Sequence, residues 1–285
     1  MKKPRPSRTW YALLGIGAFV VFMLGAAAWQ MLLQADPTDC RWNGVICLFI
    51  PDRSDWYIHL FSYMLIAPLM LAMFLFFNTW RKQRDHINML TNNLASLALR
   101  DSKLENMASR LNLKDEVFLL DSDDYFSFCT GFASPRIYVS RGIIESLTAE
   151  ELEALLLHEK YHLANRDPLR VLLGELVVSG LFFVPILRDL FKRYLIRKEI
   201  AADQLAIQYQ GNRHGIASTL QKLLEKETGT WTLGFAISDT EALKSRIDYM
   251  LGRIKQEPLP LSHVALSVTI PIFIICIIGA ILVVR

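Results

Sequence analysis

The reading of this chain turns on Leu147-Thr148-Ala149-Glu150-Glu151-Leu152-Glu153-Ala154-Leu155-Leu156-Leu157-His158-Glu159-Lys160-Tyr161-His162-Leu163-Ala164-Asn165. Thr148 and Glu151 have the spacing of a capping box, in which each side chain satisfies the other residue's free N–H at the start of a helix. Leu147 and Leu152 flank that cap as a hydrophobic staple would. A helix is therefore expected from Thr148 through Asn165, stopping before Pro168. On such a helix His158 and His162 are one turn apart and share a face. Two imidazoles so placed can bind one Zn²⁺, and Glu159 between them can reach water at the ion. The plainer alternative is a pair of exposed or core histidines.

A catalytic zinc takes three protein ligands and keeps one position open. Arg197-Lys198-Glu199-Ile200-Ala201-Ala202-Asp203 offers Glu199 and Asp203, again at i and i+4. Glu199 is the expected third ligand. Asp203 is expected to accept the ring N–H of a ligand histidine and so set its tautomer. By itself this pair is weak evidence, because an acidic residue every fourth position is common on solvated helix faces. His214 is the rival third ligand; alternatively it is a donor that stabilises the transition state.

Working outward, the surroundings are apolar. The chain has 285 residues, 52% of them hydrophobic and 21% charged, with a formal net charge of +3. That composition excludes disorder, and four cysteines at this length exclude a disulfide scaffold. No basic stripe or aromatic nucleic-acid motif is present, so no nucleic-acid partner is expected. The apolar excess lies in three runs, at about 10–33, 57–80 and 262–285. Each exceeds the roughly 20 residues a helix needs to cross a bilayer. Trp10, Trp29, Trp56 and Trp80 lie near the ends of the first two runs, as interfacial aromatic residues would.

Basic residues set the orientation. Lys2, Lys3, Arg5 and Arg8 precede the first run, and Arg81, Lys82 and Arg84 follow the second. Positive-inside places the N-terminus and residues 81–261 in the cytoplasm, with loop 35–55 and the C-terminus outside. Cys40 and Cys47 fall in that outer loop, where a disulfide could form. The expected fold is thus a mainly α membrane protein. It comprises a transmembrane hairpin at 1–80, a cytoplasmic α+β zincin-like domain with a small sheet at 81–261, and a third transmembrane helix at 262–285.

Inside the cytoplasmic part, Asp85–Leu113 reads as one packing helix. Glu116–Leu120, Tyr125–Thr130 and Arg136–Ser140 read as short strands. Arg136–Ser140 is either an edge on which an extended substrate could pair or an ordinary core strand. The apolar stretch 171–187 is short for a crossing, and a crossing would part Glu199 from His158 and His162. It is expected as a helix that is buried or dips into the membrane. A site within a span is disfavoured, since Glu150, Glu151, Glu153, Lys160, Arg166 and Asp167 surround the motif.

HExxH followed by ExxAD resembles the gluzincin metallopeptidases. Phe128-Cys129-Thr130-Gly131-Phe132-Ala133-Ser134-Pro135-Arg136-Ile137-Tyr138-Val139-Ser140 resembles the segment before the zinc helix in the β-lactam sensor-transducers of the BlaR/MecR type. The zinc helix through Asp167 does so too, and Arg246-Ile247-Asp248-Tyr249-Met250-Leu251 is a weaker echo. The heat-shock and CAAX-prenyl membrane proteases are a more distant resemblance. The resemblance implies zinc at His158, His162 and Glu199, with Glu159 as general base. It further implies an endopeptidase of the bacterial inner membrane, acting on protein or peptide substrates such as a cytoplasmic repressor. The sensor-transducers carry an extracellular penicillin-binding domain after the last span, whereas this sequence stops at Arg285, so direct β-lactam sensing is not expected. The alternatives are a quality-control protease of membrane proteins and a non-catalytic scaffold or receptor with a vestigial metal site.

Overall fold

A computed structural model describes residues 7–34, 70–82, 84–85, 98–99, 101–226, 240–252, 262–263, 265–271 and 274. Cys40 and Cys47, with the loop that holds them, lie outside the described residues. The chain packs as two compact units. One comprises 1–9, 81–173 and 192–259, the other 10–80, 174–191 and 260–285.

The first unit is a small sheet with helices. β1 (Ala98–Leu99) leads to α2 (Ser102–Arg110), β2 (Val117–Leu120), β3 (Ser127–Thr130) and β4 (Arg136–Ser140). The strand order is β1-β2-β4-β3, with β2 and β4 parallel and the outer pairings antiparallel. Alternation sends Leu119, Ile137 and Val139 into the main core. It sends Phe118, Tyr138 and Phe128 to the opposite face, where their rings stack at 5.7 and 5.5 Å. The Arg136 guanidinium caps this row, 4.9 Å above the Phe118 ring.

Ser140 then turns strand into helix. Its side chain caps α3 (Arg141–Ser146) and ties back to both backbone polar groups of Phe126. Gly142 is required at this turn, because a Cβ there would meet the Asp123 carbonyl oxygen at 2.2 Å.

α4 (Ala149–Asn165) follows, with Thr148 as N-cap and the reciprocal capping box formed with Glu151. Leu152, Leu155 and Leu156 of this helix join α2 and the sheet in the core. α4 ends at Arg166, which takes left-handed φ 52°, and α5 (Asp167–Gly180) starts at once, with Pro168 in its first turn. α6 (Pro185–Gln210), α7 (His214–Lys226) and α8 (Thr240–Met250) follow.

Glu151 also ties α4 to α7. Burial opposes its ionisation, yet the Lys222 ammonium, the Ser218 hydroxyl and Thr148 together pull its pKa down to about 2. A depressed carboxylate stabilises the fold above its unfolded value and loses that contribution as pH falls through the folded one. Glu151→Gln is therefore expected to cost about 1–2 kcal/mol at pH 7, allowing for the partly exposed Lys222. The gap between variant and wild type should shrink below the unfolded value near 4.5 and close near pH 2. Urea titrations at pH 7 and pH 3 measure it; an equal gap at both would refute this role.

Several expectations are corrected here. Among the described residues no helix is long and apolar enough to cross a membrane, so three transmembrane helices are not supported. The first apolar run does form a helix, α1 (Arg8–Gln34), but part of it faces protein. Trp10, Leu13 and Val20 are buried, and a Cβ added at Gly17 would meet Val177 at 3.0 Å. A count of consecutive apolar letters does not separate side chains that face lipid from those that pack on protein. Of the other two runs, 56–69 and most of 272–285 lie outside the described residues.

The single helix expected over Asp85–Leu113 is instead divided. Ala98 and Leu99 pair with β2 as strand, and the Asp101 side chain caps a fresh helix by accepting from the Leu104 N–H at 2.9 Å. Arg136–Ser140 is the inner strand between β2 and β3, not an edge. Residues 171–187 are not one helix: α5 stops at Gly180 and Pro185 opens α6.

Candidate metal centre

α4 and α6 bring three side chains to one point. Nε2 of His158 lies 3.1 Å from Nε2 of His162. Oε2 of Glu199 lies 3.3 Å from the first nitrogen and 3.7 Å from the second. A tetrahedral ion with ligands at about 2.0–2.2 Å separates any two of them by roughly 3.3–3.6 Å. The three edges lie within about 0.2 Å of that range, so small shifts would let the atoms share one ion. Among the described residues this is the group that could hold a metal. Two imidazoles and one carboxylate, all oxygen and nitrogen donors, fit a zinc centre with an open position.

Each imidazole is held from behind. Nδ1 of His158 donates to Oδ1 of Asp203 at 2.8 Å, and Nδ1 of His162 donates to Oδ2 of Asp167 at 2.7 Å. Both carboxylates are nearly sealed, at 0% and 2% exposure. With Nδ1 fixed as the donor, Nε2 of each ring presents its lone pair to the shared point. Tyr194 donates to the other oxygen of Asp167 at 3.2 Å. The Arg246 guanidinium donates to both oxygens of Asp203, Nε and Nη2 each at 2.8 Å.

The charges are strongly coupled. Burial alone would lower the histidines, but hydrogen bonds to Asp203 and Glu199 raise His158. The Glu199 charge and the Asp167 bond lift His162 to about 10. Glu199 is held well below the usual carboxylate range, against its burial, by Lys198 and the two rings. Nζ of Lys198 lies 3.1 Å from Oε1 of Glu199. This pocket stabilises positive charge on the two imidazoles, which is what a divalent cation would supply.

Glu159 follows His158 on α4 and is 5% exposed. Its Oε1 accepts a hydrogen bond from the Ser127 hydroxyl at 3.1 Å. Ser127 opens β3, the outer strand of the sheet among the described residues, so this bond ties that strand to Glu159.

The structure thus gathers His158, Glu159, His162, Glu199 and Asp203. It does not bring His214 to them. That residue begins α7, is exposed, and has its backbone N–H capped by Asn212 at 2.9 Å. Sequence reasoning missed Asp167, Tyr194, Lys198, Ser127 and Arg246. Asp167 had a local signal, a carboxylate just past the zinc helix and before a proline. Arg246 lay in the stretch that weakly echoes the family, but no local spacing ties it to Asp203, 43 residues away.

The family model described as BlaR1 peptidase M56 matches residues 54–250. A protease HtpX homolog of Aquifex aeolicus is 32% identical over 84 residues, 28% of this chain and 28% of the relative. Another from Nitrosomonas eutropha is 33% identical over 88 residues, 30% of each chain. The protease HtpX of a Psychrobacter species is 32% identical over 88 residues, 30% of this chain and 29% of that one. The similarity therefore spans less than a third of the length of these curated relatives.

Proposed function

The chain belongs to the BlaR1 peptidase M56 family, and from that premise we propose that it is a zinc-dependent endopeptidase. His158, His162 and Glu199 are the metal ligands and Glu159 is the general base. The observation that carries this reading is the ligand triangle of 3.1, 3.3 and 3.7 Å, with each ring backed by a buried carboxylate. Zinc bound there would acidify a water and polarise the scissile carbonyl. Glu159 takes the proton from the attacking water and returns it to the leaving nitrogen. Ser127 holds one oxygen of Glu159, which leaves the other to face the water. β3, rather than the expected Arg136–Ser140, is the strand on which an extended substrate would pair, because it is the outer strand among the described residues and carries Ser127 against Glu159.

The enzyme acts at a membrane surface. Phe22, Phe74 and Phe77 expose 65–70% of their area, more apolar surface than a water-facing unit usually leaves bare. Arg81, Lys82 and Arg84 favour anionic headgroups, which supports a cytoplasmic placement. The family premise supports a protein substrate, and we take it to be a regulator such as a repressor.

Purified full chain loaded with zinc should cleave an unfolded protein, stop when the metal is chelated and resume when zinc returns. Cleavage that persists in chelator overturns the metal reading. In cells, comparison of wild type with Glu159→Gln should reveal one protein that loses a terminal fragment. Many fragments from unrelated membrane proteins would favour quality control instead.

A further inference from the structure

Arg246 is not a ligand and touches neither imidazole, yet its guanidinium has an unusual position. Nε and Nη2 form a two-pronged clasp on Asp203, 2.8 Å to each oxygen. Asp203 is fully buried and spends its Oδ1 on His158 as well, also at 2.8 Å. Nη1 of the same guanidinium lies 3.9 Å from Oε2 of Glu199, the oxygen that faces both rings. One side chain therefore reaches the orienting carboxylate of one candidate ligand and the carboxylate of another. It arrives on α8, which follows α6 by about thirty residues.

Two independent arguments give this contact a role. A carboxylate shared by a ring N–H and a rigid guanidinium has both oxygens committed, so it cannot rotate, and the ring it holds cannot rotate either. The second argument is charge. Glu159, Asp167, Glu199 and Asp203 bring four carboxylates to one buried locus, and a divalent cation offsets only two. Lys198 on Glu199, Arg246 on Asp203 and, at the longer distance of 3.8 Å, Arg170 on Asp167 supply the other positive charges. Lysine could match the charge of Arg246 but not its planar fork.

We propose that Arg246 is a positioning residue for the metal centre: through Asp203 it fixes the His158 ring, and it thereby sets metal affinity. The inference rests on the zinc reading of His158, His162 and Glu199. It assigns α8 a share in the site beyond closing the fold.

The test uses the full chain and measures metal binding apart from turnover. Zinc affinity is determined by chelator competition, and coordination geometry by the visible absorption of the Co²⁺-loaded protein. Arg246→Lys keeps the charge and loses the fork. It should bind zinc about 10–100-fold more weakly, the usual cost of losing a partner that orients a ligand, with an altered cobalt spectrum. Tyr249→Phe is the control. It loosens α8 by removing the hydroxyl that accepts from Gln204 at 2.8 Å and leaves Asp203 untouched, so it should bind zinc as the wild type does. Wild-type affinity and spectrum in Arg246→Lys overturn the proposal. So does an equal loss in Tyr249→Phe, which would mean that helix docking alone matters. If Arg246→Lys does not fold, Arg246→Gln, which keeps Asp203 and one hydrogen-bond donor beside it but loses the fork, replaces it under the same criteria. Wild-type protein that binds neither metal refutes the zinc reading itself, a failure separate from that of Arg246.

Discussion

Glu159→Gln should reduce peptide hydrolysis by about a thousandfold and leave the metal in place, since a positioned general base contributes roughly 10²–10⁴. The substitution is nearly isosteric. Its carbonyl oxygen can still accept from Ser127 Oγ, which lies 3.1 Å from the present carboxylate. Glu159 is buried at 5% exposure, and an uncharged amide there costs no more to bury than the carboxylate it replaces. The fold and the three ligand atoms should therefore survive, and what disappears is the capacity to take a proton from water. The measurements are kcat/KM on a protein substrate and zinc content of the same sample. Hydrolysis within tenfold of wild type would remove Glu159 from the mechanism. Loss of zinc together with activity would mean that the residue holds the site rather than working in it.

The second large effect concerns the ligand from α6. Glu199→Ala should abolish tight metal binding, a greater loss than the 10–100-fold that follows from losing an orienting partner. It also removes the counter-charge of Lys198, 3.1 Å away. Metal that binds only the folded chain stabilises it by mass action, about 4 kcal/mol when free ion is a thousandfold above Kd. For a unit of this size that is roughly 8–16 °C in Tm. Chelator should lower the wild-type Tm by about that amount and leave Glu199→Ala unmoved. Equal responses in the two proteins would eliminate Glu199 as a ligand.

The same experiment has a pH dependence of known sign. In the metal-free protein His158 is raised and His162 is lifted to about 10. Their protonated forms stabilise that state fully below the unfolded value near 6.5, and the contribution fades as pH rises through the folded value. Metal must displace those protons. Apparent affinity should climb from pH 6 to pH 8, by about tenfold per pH unit for each imidazole proton released. A flat profile would show that the rings are not the groups the ion displaces.

Much of the site was legible because it is written in short spacings. Thr148 and Glu151 mark a helix start that depends on contacts three residues apart, and the helix forms there. His158 with His162, and Glu199 with Asp203, each share a face through one turn of helix, and the five chemistry-bearing side chains of the two motifs do converge. Where the letters alone misled, the question was always what a segment packs against. Ala98 and Leu99 fall inside the stretch read as one helix, but β2 offered them a strand partner. Arg136–Ser140 has the pattern of any half-buried strand, and its inner position follows only from β3 folding back onto its outer side. The long apolar runs suggested membrane crossings, while Leu13 and Val20 of α1 are buried by protein.

The amino-acid order by itself determined the two helices that carry the candidate ligands and which of their side chains point the same way, because cap and i, i+4 geometry are properties of a single helix. Asp203 was expected behind one of the histidines; only the tertiary structure decided which ring it meets and which other partners stand behind the site. Asp167 on His162, Ser127 on Glu159 and Arg246 on Asp203 come from other elements, the last from 43 residues along the chain. Burial makes such pairings obligatory, since a charge sealed from water must find its counterpart. Local spacing contains no record of which distant residue will provide it.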